Sequence, residues 1–77
     1  MPRPAHLRRY QRFRSLLIQR RKEAGLTQEA VAKAIGRPQS FVAKVESGER
    51  RLDVVEFLEL SAAIGFEPEA FVHELQK

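Results

Sequence analysis

The sequence of 77 residues contains no cysteine. It can therefore form no disulfide and no thiolate metal site, and it offers no thiol nucleophile. No apolar run approaches the length of a membrane span, and the first residues lack the apolar core of a secretory signal. These absences favour a cytoplasmic protein. The length allows one domain, with a core that buries only about 60% of the unfolded surface.

The residue groupings that support catalysis are also missing. His6 and His73 lie at opposite ends of the sequence. No neighbouring aspartate, glutamate or cysteine provides a metal-ligand spacing or a nucleophile with its base. No glycine-rich phosphate loop is present either. The sequence thus predicts a protein that is not an enzyme and that requires neither a metal nor a cofactor.

Charge is distributed unevenly along the chain, which has a net charge of +4. Residues 1–22 contain eight basic side chains and no acidic one, whereas residues 53–77 contain six acidic side chains against Lys77. A basic pole of this kind attracts phosphate and gives binding that weakens with salt. The alternative is a set of arginines that is simply solvated on a helix surface.

Helix signals recur, and no segment shows the alternation of a strand. Each of the four glycines follows an amphipathic stretch, where a helix ending in a left-handed conformation places its glycine; they are Gly25, Gly36, Gly48 and Gly65. Thr27 is a good N-cap, and Asp53 with Glu56 forms a capping-box pattern. The sequence therefore predicts an all-α, compact five-helix bundle.

Residues 28–47 have the spacing of a helix-turn-helix motif. Ala32 supplies the small side chain that two crossing helices need where their backbones approach, and Gly36 supplies the left-handed residue of the turn. Val42 and Val45 lie one turn apart, in position to pack against the first helix. A helical hairpin in any small bundle has an apolar stripe, but the joint occurrence of these residues with Gln28 favours the motif.

The second helix of this motif, residues 38–47, separates into two faces. Its inward residues are Pro38, Phe41, Val42 and Val45, and its outward residues are Gln39, Ser40, Ala43, Lys44 and Ser47. The outward set suits base edges, since glutamine pairs with adenine, lysine with guanine and small apolar groups with the thymine methyl. The alternative is an ordinary solvated face.

The segments LTQEAVAKAIG and PQSFVAKVESG, between RRKEAG upstream and ERRL downstream, resemble the phage repressor and Cro type of helix-turn-helix domain, the XRE family. The resemblance covers residues 13–72. It implies a lambda-repressor-like fold and a sequence-specific DNA-binding transcriptional regulator of the repressor kind. Such a protein would act on double-stranded DNA in a bacterial or phage cytoplasm, associated with the nucleoid.

The resemblance also implies roles for single residues. Gln28 and the amide at the start of its helix would bind a phosphate, the outward face of helix 38–47 would enter the major groove, and the loop after Gly48 would reach the DNA backbone. The expected base-reading residues are Gln39, Ser40, Ala43 and Lys44. The expected backbone contacts are Gln28, Arg37, Ser47, Arg50 and Arg51. Arg21 and Glu46 would form a structural ion pair, the alternative being that Arg21 is a surface cation.

The start of the recognition helix departs from the family pattern. Members of the family commonly have serine or threonine there as a cap, and this chain has Arg37 and Pro38. Proline suits the first helical turn because its missing N–H would be unpaired in any case. The remaining free amides would be satisfied by water or by a DNA phosphate.

The C-terminal helices carry more apolar residues than one core face requires. The resemblance implies that they form a twofold dimer interface, with the recognition helices about 34 Å apart on an inverted repeat. The expected interface residues are Leu60, Ile64, Phe66, Phe71, Val72 and Leu75. The alternative is that these residues complete the core of the monomer.

Two other functions stay open at this point. The protein would be an antitoxin or controller that binds DNA and also holds a protein partner, such as a toxin or another regulator, through helices 4 and 5. Alternatively, it would be a protein-interaction module without DNA binding.

We further divide the chain into a basic N-terminal arm, residues 1–9, and the DNA-binding domain, residues 10–77. The arm would be flexible and would follow the DNA backbone or enter a minor groove through its arginines.

Overall fold

A computed structural model of the protein describes residues 4–77, with side chains from Leu7 onward. Five α-helices follow one another along the chain: α1 (Pro4–Glu23), α2 (Gln28–Ala34), α3 (Gln39–Ser47), α4 (Val54–Ile64) and α5 (Pro68–Gln76). The described residues contain no strand. The predicted all-α five-helix bundle is therefore confirmed. None of the described helices is long and apolar enough to cross a membrane.

The first helix begins earlier than the sequence suggested. Residues 4–9, which we assigned to a flexible basic arm, form the first turns of α1. Proline is well tolerated as the first residue of a helix, and alanine, leucine and arginine, which follow it, are good helix formers. Arg8 and Arg9 are thus exposed side chains of a helix. Arg3 and the side chain of His6 lie outside the described residues.

The starts of α2 and α4 rest on the predicted local capping. The amide of Ala30 donates to the Thr27 hydroxyl over 3.0 Å at the start of α2. At the start of α4, the Glu56 amide donates to the Asp53 carboxylate over 2.7 Å, and the Asp53 amide donates back to the Glu56 carboxylate over 3.1 Å. The capping box is therefore complete.

The α2–α3 hairpin packs its inner faces into the core. Ala32 is 2% exposed, which allows the close approach of the two helices, and Gly36 turns the chain with a φ of +69°. The core side chains are Leu16, Leu17, Val31, Ala32, Phe41, Val42, Val45, Leu60 and Phe71. An aromatic cluster joins α1, α4 and α5, in which the ring of Phe71 lies 5.6 Å from that of Phe13 and 5.1 Å from that of Phe57.

Two residues that we expected at a dimer interface belong to the core of the monomer. Leu60 is 3% exposed and Phe71 is 1% exposed, so neither has surface left for a second chain. Their place in the expected interface is therefore corrected. Helical periodicity does not show which side of an almost wholly apolar helix faces inward, and the aromatic cluster draws in the side that carries Phe71. The expected interface residues that pack partly buried against the core are Ile64, Phe66 and Leu75. Val72 is exposed.

Candidate nucleic-acid interface

The α3 helix presents one polar face to the surface. Phe41, Val42 and Val45 are buried, and they fix the orientation of the helix about its axis. Three of the expected base-reading residues, Gln39, Ser40 and Lys44, are exposed, and Ala43 is half-buried. Phe41, which the sequence placed on the inward face, lies in the core with 8% of its surface exposed.

The N-terminus of α3 has no side-chain cap. The helix begins at Gln39, one residue later than predicted, and Pro38 occupies the N-cap in an extended conformation with φ −68° and ψ 153°. Proline has no side-chain oxygen to accept from the first amides. These amides lie beside the expected base-reading residues, where a phosphate would satisfy them.

Arg21 and Glu46 form the predicted ion pair, which links α1 to α3. The Arg21 Nε and a terminal nitrogen donate to the two carboxylate oxygens over 2.7 and 3.0 Å. The other terminal nitrogen donates to the Leu26 carbonyl over 2.9 Å. The two side chains are only 11% and 9% exposed. The bidentate geometry and the low exposure make this pair part of the interior of the domain.

Gln28 continues this network to the surface. Its side-chain amide donates to Glu46 over 2.8 Å, and its carbonyl oxygen accepts from the side-chain amide of Gln39 over 2.8 Å. The sequence assigned Gln28 to a phosphate, and in the structure its half-buried side chain orients the first residue of α3. The link between Gln28 and Gln39 was not found from the sequence, where the two lie 11 residues apart.

The C-terminus of α3 is held by Arg14, which sequence reasoning did not single out. A terminal nitrogen of Arg14 donates to the Glu46 carbonyl over 3.0 Å. Gly48 ends the helix with a φ of +89°, and a Cβ placed on it would lie 3.0 Å from the Arg14 Cζ. The left-handed conformation therefore favours glycine here, and any larger residue would also have to displace the Arg14 guanidinium by a few tenths of an ångström. Arg14 and Arg21, both basic residues of α1, thus hold α3 through hydrogen bonds to Glu46.

The expected backbone contacts surround α3. The guanidiniums of Arg37 and Arg50 lie 4.4 and 4.7 Å from the centre of the Phe41 ring, and that of Arg51 lies 4.1 Å from the Tyr10 ring. Cation–π contacts of this kind restrain long side chains. The Ser47 hydroxyl lies 3.1 Å from the Lys44 carbonyl and 3.2 Å from the Glu49 carboxylate, so it is already hydrogen-bonded within its own turn.

Glu56 connects two of these arginines to α4. The terminal nitrogens of Arg50 donate to both of its carboxylate oxygens over 2.9 Å, and Arg37 donates to one of them over 3.4 Å. The hydrogen bonds from Arg50 and from the Asp53 amide lower the pKa of Glu56 to about 2, and the same contact with Glu56 raises the pKa of Arg50. Glu56 is therefore ionised throughout the physiological range.

The protein should lose stability as the pH falls from about 4.5 to about 2, with Glu56 contributing to the loss. Its pKa is lower in the folded state than in the unfolded chain. Its contribution is therefore complete above the unfolded value and disappears as the pH falls through the folded one. The measurement is the urea midpoint of wild type and of Glu56→Gln across this range. The gap between the two proteins should narrow towards low pH, and a gap independent of pH would contradict the assignment.

Among the described residues, no group of three or more histidine, cysteine, aspartate or glutamate side chains could hold a metal ion. The chemistry of this surface is instead that of hydrogen-bond donors and cations. Amide, hydroxyl and ammonium groups lie on the exposed face of α3, and the guanidiniums of Arg37 and Arg50 lie together against Phe41. Such an arrangement suits a ligand with an anionic backbone and polar edges.

Comparison with known proteins agrees with this geometry. A family model described as helix-turn-helix matches residues 17–71. Among solved structures, the chain is similar to an XRE-family like protein from Pseudomonas syringae pv. tomato str. DC3000, with a TM-score of 0.90 and 47% sequence identity over 94% of this chain and 88% of that chain. Comparison with curated proteins gave no match. The matched residues contain the whole α2–α3 hairpin and the carboxylates Glu46 and Glu56.

Proposed function

Because this chain belongs to the XRE family of helix-turn-helix DNA-binding regulators, we propose that it is a repressor that inserts α3 into the major groove and binds an inverted repeat as a homodimer. The observation that carries the proposal is the exposed face of α3. Gln39, Ser40 and Lys44 point away from the buried stripe of the same helix. A helix held in this way presents polar side chains where a groove would receive it.

The chemistry of this face fits bases. A glutamine amide bonds adenine at N6 and N7, a lysine ammonium bonds guanine at O6 and N7, and the Ala43 methyl suits the thymine methyl. The network from Arg21 through Glu46 and Gln28 restrains Gln39 before any DNA arrives. A restrained side chain loses less entropy on binding than a free one. We therefore assign base reading to α3 and backbone contact to the arginines beside it.

Selection of bound duplexes from a random pool tests this function. We expect enrichment of one sequence that contains two inverted half-sites, with centres about 10 base pairs apart. Recovery of a single half-site would contradict the homodimer. Absence of any enriched sequence would contradict specific DNA reading by this protein.

The surface that we propose for the dimer is the groove between α4 and α5. Val54 and Val55 are 73% and 66% exposed, and Leu58 and Val72 are also exposed. Val54, Leu58 and Val72 line the groove together with Phe57 and Pro68. Large exposed apolar side chains that lie together mark an interaction surface. Of the six interface residues expected from the sequence, Val72 is the one that this groove retains.

We propose a second copy of the chain as the occupant of this groove because the groove adjoins the loop that we assign to the DNA backbone. Val54 follows the α3–α4 loop, which carries Arg50 and Arg51. A twofold contact there would place the two loops, and the two α3 helices, on the same side of the assembly. Such an arrangement is required for two helices to enter successive major grooves on one face of the duplex.

Leu58→Glu should convert the dimer to a monomer, since it places a charge in the proposed apolar contact. Binding to a full inverted repeat should weaken by about 100-fold, the usual loss when two linked contacts become one, and binding to a half-site should stay unchanged. Sedimentation at tens of micromolar and titration of both duplexes measure this. Leu7→Glu, which changes an exposed leucine of α1, is the matched control. A wild-type mass of one chain, with and without DNA, would contradict the homodimer.

The same groove supports a second candidate function, that of a controller or antitoxin that binds DNA and a protein partner. Its exposed apolar lining would be covered by another polypeptide instead of a second copy. In that case the chain sediments as a monomer, a second polypeptide co-purifies with it, and Leu58→Glu releases that polypeptide. A homodimer that co-purifies with no other protein would contradict this candidate.

A further inference from the structure

Glu56 is an acidic side chain placed within the basic surface that faces DNA. It is 9% exposed and lies in the first turn of α4. Its carboxylate accepts from Arg50, from Arg37 and from the Asp53 amide. A negative charge in this position lowers the attraction of the surface for phosphate. We therefore ask what Glu56 contributes that offsets this loss of attraction for phosphate.

The contacts of Glu56 join two segments that are distant in sequence. Arg37 belongs to the α2–α3 turn and Arg50 to the α3–α4 loop, so their backbones lie at opposite ends of α3 while their guanidiniums meet at one place. Both stack on the Phe41 ring, and both reach the same carboxylate. Arginine side chains are otherwise rich in rotamers, and ordering them on binding costs free energy. Glu56 and Phe41 together provide this order in advance.

The two guanidiniums keep free donors for a second ligand. A guanidinium has five N–H groups. Arg50 makes three hydrogen bonds, to both Glu56 oxygens and to the Arg51 carbonyl, and Arg37 makes one to Glu56. The Arg50 side chain remains 41% exposed and the Arg37 side chain 36% exposed. Each arginine can therefore bond the carboxylate on one edge and a phosphate oxygen on another.

We propose that Glu56 is a positioning residue for DNA binding, which holds the guanidiniums of Arg37 and Arg50 together in the orientation in which they contact DNA phosphates beside α3. The proposal rests on the function proposed above and adds a residue that makes no contact with DNA itself. It gives Glu56 a role beyond its part in the capping box of α4.

Glu56→Gln tests the proposal because charge and positioning predict opposite results. Glutamine can complete a capping box, so the start of α4 is preserved. The variant loses one negative charge, so its net charge rises by one. Electrostatic attraction to the phosphates alone would therefore tighten its binding to a duplex of random sequence. Loss of positioning should instead weaken this binding by about tenfold, since two arginines become disordered. The plot of log affinity against log salt, which has a negative slope, should become less steep by about 1 to 2 as one or both phosphate contacts are lost.

Glu59→Gln is the matched control, because Glu59 is an exposed residue of the same helix and the change in charge is identical. It should bind the random duplex at least as tightly as wild type, with an unchanged salt slope. If Glu56→Gln behaves like Glu59→Gln, the positioning role is wrong while the proposed function stands. If wild type itself does not bind duplex DNA, both proposals are wrong.

A measurement on the wild-type protein keeps the test valid if the variant folds poorly. The Nε–H signals of Arg37 and Arg50, followed by NMR, should show restricted motion in the free protein and should shift when the random duplex is added. Arg8, an exposed arginine of α1, serves as the mobile reference. Motion of Arg50 equal to that of Arg8 would overturn the proposal, as would signals that do not respond to the duplex.

Discussion

Replacing Glu46 with alanine should lower the free energy of unfolding by about 3–5 kcal/mol, the usual cost of leaving one member of a buried ion pair without its partner. The change removes the carboxylate from Arg21, whose side chain is 11% exposed. It also removes the acceptor of the Gln28 amide, which in turn holds Gln39. For a domain of this size the loss would be a large part of the total stability. The urea or thermal unfolding curve of the purified variant measures it.

Glu49→Ala is the control for this prediction. Glu49 is an exposed acidic residue just beyond α3, and its substitution should change stability by less than about 0.5 kcal/mol. Replacing both members of the pair, with Arg21→Met and Glu46→Leu, should recover much of the loss, because no charge then stays buried without a partner. A loss of less than about 1 kcal/mol for Glu46→Ala would show that Arg21 finds water instead, and that the pair is not structural.

Replacing Gln39 or Lys44 with alanine should weaken binding to the selected DNA sequence by about 1–3 kcal/mol, and should relax the base preference at one position of the half-site. The reason is that each side chain lies on the exposed face of α3 and is assigned one base edge. Binding to a random duplex should change little. Titration of both duplexes against each variant provides the measurement.

Arg51→Ala is the matched comparison, since Arg51 stacks on Tyr10 and its assigned contact is a phosphate. It should weaken binding to the selected and random duplexes alike and reduce the salt slope by about 1. If the α3 variants and the Arg51 variant behave identically, the division between base reading and backbone contact is wrong. If none of these changes affects binding, the protein is an interaction module that does not read DNA.

Much of the fold could be predicted because its determinants are local. Thr27 and the pair Asp53 and Glu56 cap their helices by contacts three residues apart, and glycine marks the turn at Gly36. Such signals act within a single turn of chain and survive in any tertiary context. The starts of α2 and α4 and the turn between α2 and α3 follow from them.

The errors arose where the tertiary structure decides between equal local alternatives. Pro4 is compatible with a disordered arm or with the first position of a helix, and α1 uses the second alternative. In α4 and α5 apolar residues cover much of the surface, so the sequence did not distinguish the buried Leu60 and Phe71 from the exposed Val72. Burial in such helices depends on which neighbour they pack against.

The polar networks around α3 were the least predictable part of the site. The contact between Arg37 and Glu56 spans 19 residues and has no periodic signal. The capping-box pattern already explained a glutamate at position 56, and this local explanation concealed its second role. The links from Gln28 to Gln39 and from Glu46 to Arg14 likewise depend on how the helices cross.

The central claim is that the exposed face of α3 contacts bases, and NMR titration with the selected duplex tests it most directly. The signals of the Gln39 side-chain amide and of the Ser40 and Lys44 backbone amides should shift on addition of this duplex, with larger changes than those in α5. Unchanged α3 signals, with the shifts confined to the groove between α4 and α5, would contradict it.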